Sequence, residues 1–200
     1  MKQTIVCLTA LVALASCSSN PKKVIVYFKG NSTANAETKT ITVKDGPGSE
    51  EKVLDFNSAE KVTLKIEGLD ADASVDIPEN GLYILNAKND TIIGSYQKYS
   101  DPKATQTVIT QEQLKKDIDS LVQLTQGKNI SAANKNFYVL PKQVVKVSDN
   151  IESFVVGPFH KMTSVAKQGD KEPEVYRFYS IKEIRETIEK LTKLTIAEKK

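Results

Sequence analysis

The chain has 200 residues, of which 40% are hydrophobic and 26% are charged, a composition typical of a folded globular protein. Its 28 basic and 25 acidic side chains give a formal net charge of +3, too even to predict a nucleic-acid-binding face. Tryptophan is absent and only 6% of residues are aromatic, so the composition does not indicate platforms for stacking bases or sugars.

The first seventeen residues have the pattern of an export signal. A single basic residue, Lys2, precedes an apolar run over residues 5–15, which closes on Leu14-Ala15-Ser16-Cys17. A run of this length is too short to span a bilayer and indicates a secretory signal. With a cysteine directly after Leu-Ala-Ser, residues 1–19 resemble a bacterial lipoprotein signal peptide with its lipobox. The alternatives are ordinary signal cleavage and a cytoplasmic chain with an apolar start.

The resemblance implies that residues 1–16 are removed and that Cys17 becomes the lipid attachment point. Cys7 leaves with the signal, so the mature chain keeps no other thiol for a disulfide, a nucleophile or a metal site. Ser18 stands where the family places an aspartate to retain a protein in the inner membrane. No acidic cluster of the kind that sends some lipoproteins to the cell surface follows Cys17. The resemblance therefore implies an outer-membrane protein that faces the periplasm.

Residues 17–23 are expected to form a lipidated tether that holds the first domain close to the membrane. The tether ends in Lys22 and Lys23. Two lysines at this position either contact anionic head groups or are simply solvated.

Residues 24–99 predict a domain of about seven strands. Val24–Phe28 is continuously apolar, which suits a strand buried on both faces. Further strands are predicted at Thr40–Val43, Val53–Phe56, Val62–Ile66, Ala73–Ile77, Leu82–Leu85 and Thr91–Tyr96. Strands spaced roughly ten residues apart favour a β-sandwich-like, immunoglobulin-like domain without its disulfide.

A polar segment with a proline, residues 100–109, predicts a linker to a second domain at residues 110–196. Thr110 and Gln113 match a capping box at the start of a helix that Gly127 is expected to end. Strands are predicted at Phe137–Leu140, Val144–Val147, Phe154–Val156, Met162–Val165 and Val175–Tyr179. The predicted fold class is therefore α+β, mainly antiparallel β, with the smaller second domain carrying two amphipathic helices.

The second helix is predicted from a capping box at Ser180 and Glu183, with Tyr179 stapled onto Ile184. Its apolar seam consists of Ile181, Ile184, Ile188 and Leu191. Such a seam most often packs on the protein's own sheet, and docking onto a partner is the alternative.

Two segments echo each other, residues 82–98 and residues 137–161. Leu82–Leu85 resembles Phe137–Leu140, and Ile92–Lys98 resembles Val155–Lys161. The offset is 55 residues in the first pair and 63 in the second. Either one β-hairpin unit is used twice, each with a glycine in its second strand, or apolar strands of like composition resemble each other by chance.

No metal or cofactor site is expected. His160 and Met162 could bind a soft ion such as Cu(I), but a stable site needs more ligands than this chain offers there, so a surface histidine is the simpler interpretation. The alternating Asp70, Asp72, Ser74 and Asp76 lack the glycine and glutamate of a calcium loop. They fit the outer face of a strand whose inner face carries Ala73, Val75 and Ile77.

No catalytic residue is expected either. The Ser-x-x-Lys pairs Ser58–Lys61 and Ser164–Lys167 lack the companion motifs of penicillin-recognising enzymes. Asp90-Thr91-Ile92 and Asp119-Ser120-Leu121 resemble the acceptor site of a bacterial O-glycosylation system, and both equally suit turn or helix-surface residues.

These patterns together predict a lipid-anchored envelope protein that is not an enzyme. It is expected to act by interaction, as an accessory protein with an envelope partner and without nucleic acid. The alternative is a lipoprotein that binds a small ligand or carbohydrate between its domains. Its pocket would be lined by some of Tyr83, Tyr96, Tyr99, Tyr138, Tyr176 and Tyr179.

Overall fold

The computed structural model describes residues 20–68, 72–97, 110–131, 133–160 and 173–197. The predicted signal peptide with Cys17, the predicted linker at 100–109 and the predicted strand at 162–165 lie outside these ranges. Within them the fold is α+β with β-sheet predominating, as the class prediction states. None of the helices in these ranges has the length and apolar character needed to cross a membrane.

A central sheet forms the middle layer of the molecule. Its strand order is β10-β7-β1-β4, with β1 at Pro21–Lys29, β4 at Ser49–Asn57, β7 at Gly81–Asn86 and β10 at Gln143–Ser148. β1 runs antiparallel to β4 and parallel to β7. Every side chain of Val24–Phe28 is buried, which confirms the prediction that this apolar run is covered on both faces.

An outer sheet covers one face of the central sheet. Its order is β2-β3-β5-β6, with β2 at Thr33–Asn35, β3 at Thr40–Thr42, β5 at Val62–Glu67 and β6 at Ala73–Ile77. Val24, Val26 and Phe28 of β1 pack with Leu64 and Ile66 in the core between the two sheets. The pleat therefore sends alternate β1 side chains to this side.

A third sheet, here called the helix-side sheet, covers the other face of the central sheet. Its order is β11-β12-β8-β9, with β8 at Ile92–Gln97, β9 at Asn136–Val139, β11 at Phe154–Val156 and β12 at Val175–Ser180. Ile25 and Tyr27 of β1 point this way and pack with Phe137, Tyr176 and Phe178. Apolar side chains on both faces of β1 thus hold three sheets together.

Two helices complete the fourth layer. α1 spans Gln111–Thr125 and α2 spans Ile181–Ala197. Leu124 of α1 and Ile184 of α2 are buried against Ile93 and Tyr138 of the helix-side sheet. Three residues of the predicted seam, Ile181, Ile184 and Ile188, therefore pack within the protein, in a cluster shared with α1 and the helix-side sheet.

The capping boxes form to different extents. In α2 the box is complete, because Ser180 N–H donates to Glu183 Oε2 at 2.8 Å and Glu183 N–H donates to Ser180 Oγ at 3.2 Å. In α1 only half of it forms: Gln113 N–H donates to Thr110 Oγ1 at 3.2 Å, while the Gln113 side chain donates to Asp117 instead. Gly127, with φ of +68°, follows α1 as predicted.

The sheets do not divide at residues 100–109. β10 joins the central sheet beside β7, and β9 and β12 flank β8. The predicted domains 24–99 and 110–196 therefore share two of the three sheets found in the described ranges. The immunoglobulin-like arrangement is not confirmed, because each of these sheets also contains one parallel pair.

Two smaller predictions are corrected. β1 begins at Pro21, so the segment between Cys17 and the sheet is shorter than the predicted tether of residues 17–23. The repeated-hairpin interpretation is wrong. β7 and β8 lie in different sheets, and β9 and β11 form opposite edges of the helix-side sheet.

Candidate functional site

A cavity of about 690 Å³ opens where β1 ends and β4 begins, and we call it the lysine cavity. Its size lies within the range of small-molecule sites. Its walls come from the end of β1, the start of β4, the β7–β8 turn, the segment after β11 and the start of α2. The lining residues are Lys29, Gly48, Ser49, Lys88, Asn89, Asp90, Phe159, Ser180 and Lys182.

Lys88 is the unusual member of this lining, because its side chain is only 6% exposed. Its ammonium nitrogen lies 3.5 Å from Ser49 Oγ and 3.5 Å from Asp90 Oδ1. Both separations are at the long end for hydrogen bonds to a charged donor, which are usually 2.7–2.9 Å. An ammonium group has three N–H donors and normally finds close acceptors when it is buried.

Asn86 fixes the turn that carries Lys88. Its side chain is fully buried, accepts the backbone N–H of Lys88 at 3.0 Å and donates to the carbonyl oxygens of Asp90 and Val139. Ala87 N–H donates to the carbonyl of Tyr27 in β1 at 2.8 Å, which extends the sheet contact beyond β7. Hydrogen bonds of the Asn86 side chain and of the Ala87 backbone therefore fix the position of Lys88.

Phe159 forms an apolar wall next to Lys88. Its side chain is 58% exposed, and its ring centroid lies 5.4 Å from Lys88 Nζ. Its φ of +64° is unusual for a bulky residue and carries backbone strain. Phe159 N–H donates to Glu183 Oε1 at 2.7 Å, so α2 holds the residue in this conformation.

The remaining charges make the lysine cavity positive. Lys29 pairs with Asp45 at 3.2 Å, and Lys182 lies 3.9 Å from Glu186. Hydrogen bonding and the nearby charge of Lys29 lower the pKa of Asp45. Neither Asp45 nor Glu186 lines the cavity, so its lining has three lysines against the single carboxylate of Asp90.

A second polar group, the Glu174 cluster, lies at the opposite end of the central sheet. Glu174 Oε2 accepts from Ser148 Oγ at 2.7 Å and from Ser153 Oγ at 2.6 Å. Glu174 Oε1 accepts from Tyr176 Oη at 2.6 Å and from Lys135 Nζ at 3.0 Å. Part of this cluster lines a concave surface region of about 620 Å³.

The electrostatics of the Glu174 cluster indicate a structural role. Partial burial opposes ionisation of Glu174, but the hydrogen bonds from Ser153, Tyr176, Ser148 and Lys135 outweigh it and lower the pKa to about 2. Burial and the bond to Glu174 raise the pKa of Tyr176. A carboxylate with this pKa and four donors is a weak base, so the cluster is better suited to joining segments than to proton transfer.

The chain enters the body at the same end of the central sheet, which we call the tether end. Three hydrogen bonds to residues of the described ranges hold Asn20 in place. Its N–H donates to Asn57 Oδ1 at 2.9 Å, its side-chain oxygen accepts from Asn80 at 3.2 Å, and its carbonyl accepts from Ser58 N–H at 3.3 Å. Lys22 is buried and donates to the Ser58 carbonyl, so its ammonium group points into the protein rather than to a bilayer.

The residues that were weighed as metal ligands, and judged not to form a site, do not converge in the described ranges. His160 is exposed, and its Nδ1 lies 3.0 Å from the carbonyl of Pro158, while Met162 is outside the described residues. Ser74 and Asp76 are exposed on β6, and Asp72, directly before it, is exposed too, while Ala73, Val75 and Ile77 are more buried, as expected. Asp70 is not described. In the part of the chain that the structure covers, no three histidine, cysteine or acidic side chains lie close enough to hold a metal ion.

The Ser-x-x-Lys pairs and the Asp-hydroxyl-aliphatic triplets, which were weighed as functional motifs, occupy ordinary structural positions where they are described. Ser58 Oγ donates to the carbonyl of Glu60, and Lys61 pairs with Asp76 at 2.8 Å. Ser164–Lys167 lies outside the described ranges. Asp90 pairs with Lys88 and Ile92 is buried, whereas Asp119 and Ser120 are exposed on α1.

The predicted tyrosines do not line one pocket. Tyr83 lies in the core next to the outer sheet, Tyr96 and Tyr176 pack against the core on the other face, and Tyr138 and Tyr179 lie under the helices. Tyr99 is outside the described residues. Tyr176 lines the concave region of the Glu174 cluster, and Tyr179 lines a separate, smaller one of about 310 Å³ beside α2.

Sequence reasoning missed Lys88, Phe159 and Glu174. The sequence gives only a weak indication that Lys88 is buried. It lies three residues after the apolar run Leu82–Leu85, close to a turn. The sequence gives no indication of the role of Glu174, because its hydrogen-bond partners are up to 39 residues away in the chain.

No family model, curated protein or solved structure matches the chain.

Proposed function

We propose that the chain is a lipid-anchored protein of the bacterial cell envelope that acts by binding and not by catalysis. The lipobox at Leu14–Cys17 supports the anchor, and Ser18 supports an outer-membrane location facing the periplasm. An envelope protein partner, with the chain as its accessory subunit, is part of the proposal.

The observation that carries the proposal is the fixed position of Asn20. Three residue steps separate Cys17 from Asn20, and an extended chain spans at most about 11 Å over that length. Because Asn20 is hydrogen-bonded to Asn57, Asn80 and Ser58, a lipid on Cys17 holds the tether end directly at the bilayer. A short anchor of this kind holds the rest of the protein in one orientation relative to the bilayer.

The lysine cavity favours the small-ligand form of binding. β1 has nine residues, so its two ends lie about 26 Å apart at a rise of 3.3 Å per residue. Asn20 directly precedes the first residue of β1, and Lys29 at the last residue lines the cavity. The cavity then opens away from the bilayer, where soluble molecules reach it.

The anchor is tested by cysteine substitution and cell fractionation. We expect Cys17→Ala to move the protein from the membrane fraction to the soluble fraction. Cys7→Ala is the matched control, since it lies within the removed segment and should leave the protein membrane-bound. Continued membrane association of Cys17→Ala would contradict the proposed anchor.

A further inference from the structure

We infer that the lysine cavity binds a soluble organic anion, a molecule in which a phosphate or carboxylate group is attached to an apolar ring or chain. This inference rests on the proposed binding function and names the class of ligand. Two independent features of the cavity carry it, the buried ammonium group of Lys88 and the strained, exposed ring of Phe159.

Lys88 recognises the anionic group. Its ammonium is almost fully removed from water, and its two polar partners in the described chain are both 3.5 Å away. Removing a charge from water costs free energy that such distant partners offset only in part. An anionic oxygen in the cavity would supply the close, charge-assisted hydrogen bond that Lys88 lacks.

Lys29 and Lys182 add to the preference for an anion. Their carboxylate partners, Asp45 and Glu186, lie outside the lining. The side chains of Asp45 and Glu186 are both more than half exposed. Exposed ion pairs are weak, so either lysine can turn to a ligand at little cost in free energy. The same three ammonium groups disfavour a cationic ligand.

Phe159 selects for an apolar body on the ligand. A backbone held at positive φ costs free energy, and such strain is concentrated at functional sites. Here the hydrogen bond to Glu183 keeps an aromatic ring largely in solvent beside the ammonium group of Lys88. A ring or short aliphatic chain on the ligand would cover that face and remove it from water.

The start of α2 is not the source of the anion preference. Ser180 and Glu183 cap each other, and the second oxygen of the Glu183 carboxylate accepts from Phe159. The side chains of the lysines, and not a free helix terminus, therefore define the site.

Isothermal titration calorimetry of the full mature chain in non-ionic detergent tests this inference, with phenyl phosphate as the probe. We expect saturable binding of phenyl phosphate, binding of inorganic phosphate about tenfold weaker or less, and none of benzyl alcohol. Inorganic phosphate binding as tightly as phenyl phosphate would overturn the apolar part of the inference. No saturable binding of phenyl phosphate would overturn the inference as a whole.

Three variants separate the contributions. Lys88→Met keeps the length of the side chain and removes its charge, so we expect it to weaken phenyl phosphate binding about tenfold or more. Lys115→Met, on the exposed face of α1, is the matched control and should bind as the unchanged protein does. Phe159→Ala replaces an exposed side chain and should weaken phenyl phosphate binding without affecting inorganic phosphate. Equal affinities in Lys88→Met and the unchanged protein would contradict the assigned role of the ammonium group.

Failure of the anion site and failure of the anchor are distinguishable. Fractionation of Cys17→Ala reports only on the anchor, whereas calorimetry of the purified chain reports only on the lysine cavity. A membrane-bound protein without phenyl phosphate binding keeps the proposed anchor and rejects the anion site. If the protein binds phenyl phosphate but Cys17→Ala stays on membranes, the anion site is kept and the proposed anchor is rejected.

Discussion

Glu174, which directly precedes β12, binds four side chains, three of them from earlier parts of the chain. Its carboxylate accepts hydrogen bonds from all four of them. Lys135 lies just before β9, Ser148 at the end of β10, Ser153 in the loop that follows β10, and Tyr176 in β12. These bonds connect the central sheet to the helix-side sheet at the tether end. A carboxylate can accept about four hydrogen bonds, so each of its acceptor positions is used.

We expect Glu174→Gln to lower the free energy of unfolding at pH 7 by about 1–2 kcal/mol, because an amide has one acceptor oxygen for four donors. Since the folded state holds the pKa of Glu174 at about 2, below the ordinary value of 4.5, the unfolded chain takes up the proton first on acidification. The stabilisation is therefore complete above about pH 4.5 and is lost as the pH falls toward 2.

Urea unfolding at pH 7 and at pH 3 measures both effects. The unchanged protein should lose more stability between these two pH values than Glu174→Gln does. Glu60→Gln, in the exposed turn between β4 and β5, is the control and should retain the pH dependence of the unchanged protein. If the free energy of unfolding falls equally between pH 7 and pH 3 in the unchanged protein and in Glu174→Gln, Glu174 does not contribute to the pH dependence.

Single residues were the part of the molecule that sequence reasoning predicted least well. Short-range patterns report which face of an element a residue occupies, and they correctly placed Asp72 and Asp76 outside and Ile77 inside. They do not report partners that folding brings in from distant segments. Lys88 meets Ser49 across 39 residues, so no local pattern could distinguish it from the many solvated lysines.

Gly94 illustrates the same limit. A glycine in the second strand of a repeated hairpin was one interpretation of the sequence. In the structure a Cβ at this position would lie 2.2 Å from the Phe178 ring, so the glycine provides space for that ring. Its role depends on a neighbouring strand that lies 84 residues further along the chain.

At the scale of elements, the two helix starts make a natural comparison. Both begin with a hydroxyl side chain followed three residues later by glutamate or glutamine, and the sequence predicts the same box for each. The structure completes the box only at α2, where Glu183 also holds Phe159. At α1 the nearby Asp117 attracts the Gln113 side chain instead.

We expect Glu183→Ala to lower stability by about 1–2 kcal/mol, since it leaves the N–H groups of Ser180 and Phe159 without their acceptor. Gln113→Ala, the matched change at α1, should alter stability by no more than about 0.5 kcal/mol, because its side chain does not contribute to the cap. Thermal unfolding followed by circular dichroism measures both. Equal losses in the two variants would mean that the α1 box is complete in solution.

Elements were largely predictable because their signals are local. Alternation along β5 and β6, the continuous apolar run in β1 and the helical spacing in α1 and α2 all gave elements close to those observed. The sequence does not predict β2, because three residues with a single buried alanine are too few to show an alternation of apolar and polar side chains. The sequence does not predict which strands pair or in which direction. A strand that is apolar on both faces, such as β1, can have parallel and antiparallel neighbours alike.

At the scale of the whole molecule, the central sheet sets the layered order. Because both faces of β1 and β7 are apolar, each face needs a covering sheet, and the helices then cover the remaining face of the helix-side sheet. The later strands β9, β10 and β12 supply part of these layers. A prediction that follows the chain in order assigns them to a second domain, because sequence distance does not reveal that they return to earlier strands.

The layered body has two ends, and the proposed anchor gives them different surroundings. Asn20, β1 and the turn after β4 meet at the tether end, while the lysine cavity opens about 26 Å away at the other end of β1. If the proposed signal is removed and Cys17 is lipidated, no free thiol remains, so single-cysteine variants accept a fluorophore at one chosen position. Ala59 and Asn89 are exposed turn residues at the tether end and at the cavity end, respectively.

We expect a fluorophore on Ala59→Cys to be quenched strongly by spin-labelled lipid head groups when the protein is reconstituted into vesicles. The same fluorophore on Asn89→Cys should be quenched weakly, because quenching by contact requires close approach and the cavity end is held about 26 Å further from the bilayer. Soluble iodide should quench both labels, which controls for differences in exposure. Equal lipid quenching at the two positions would mean that the body turns freely on its anchor, and stronger quenching at Asn89→Cys would place the lysine cavity at the membrane. Either result would contradict an orientation set by the hydrogen bonds of Asn20, whereas the expected difference places the cavity in the aqueous compartment, where a soluble anion can enter it.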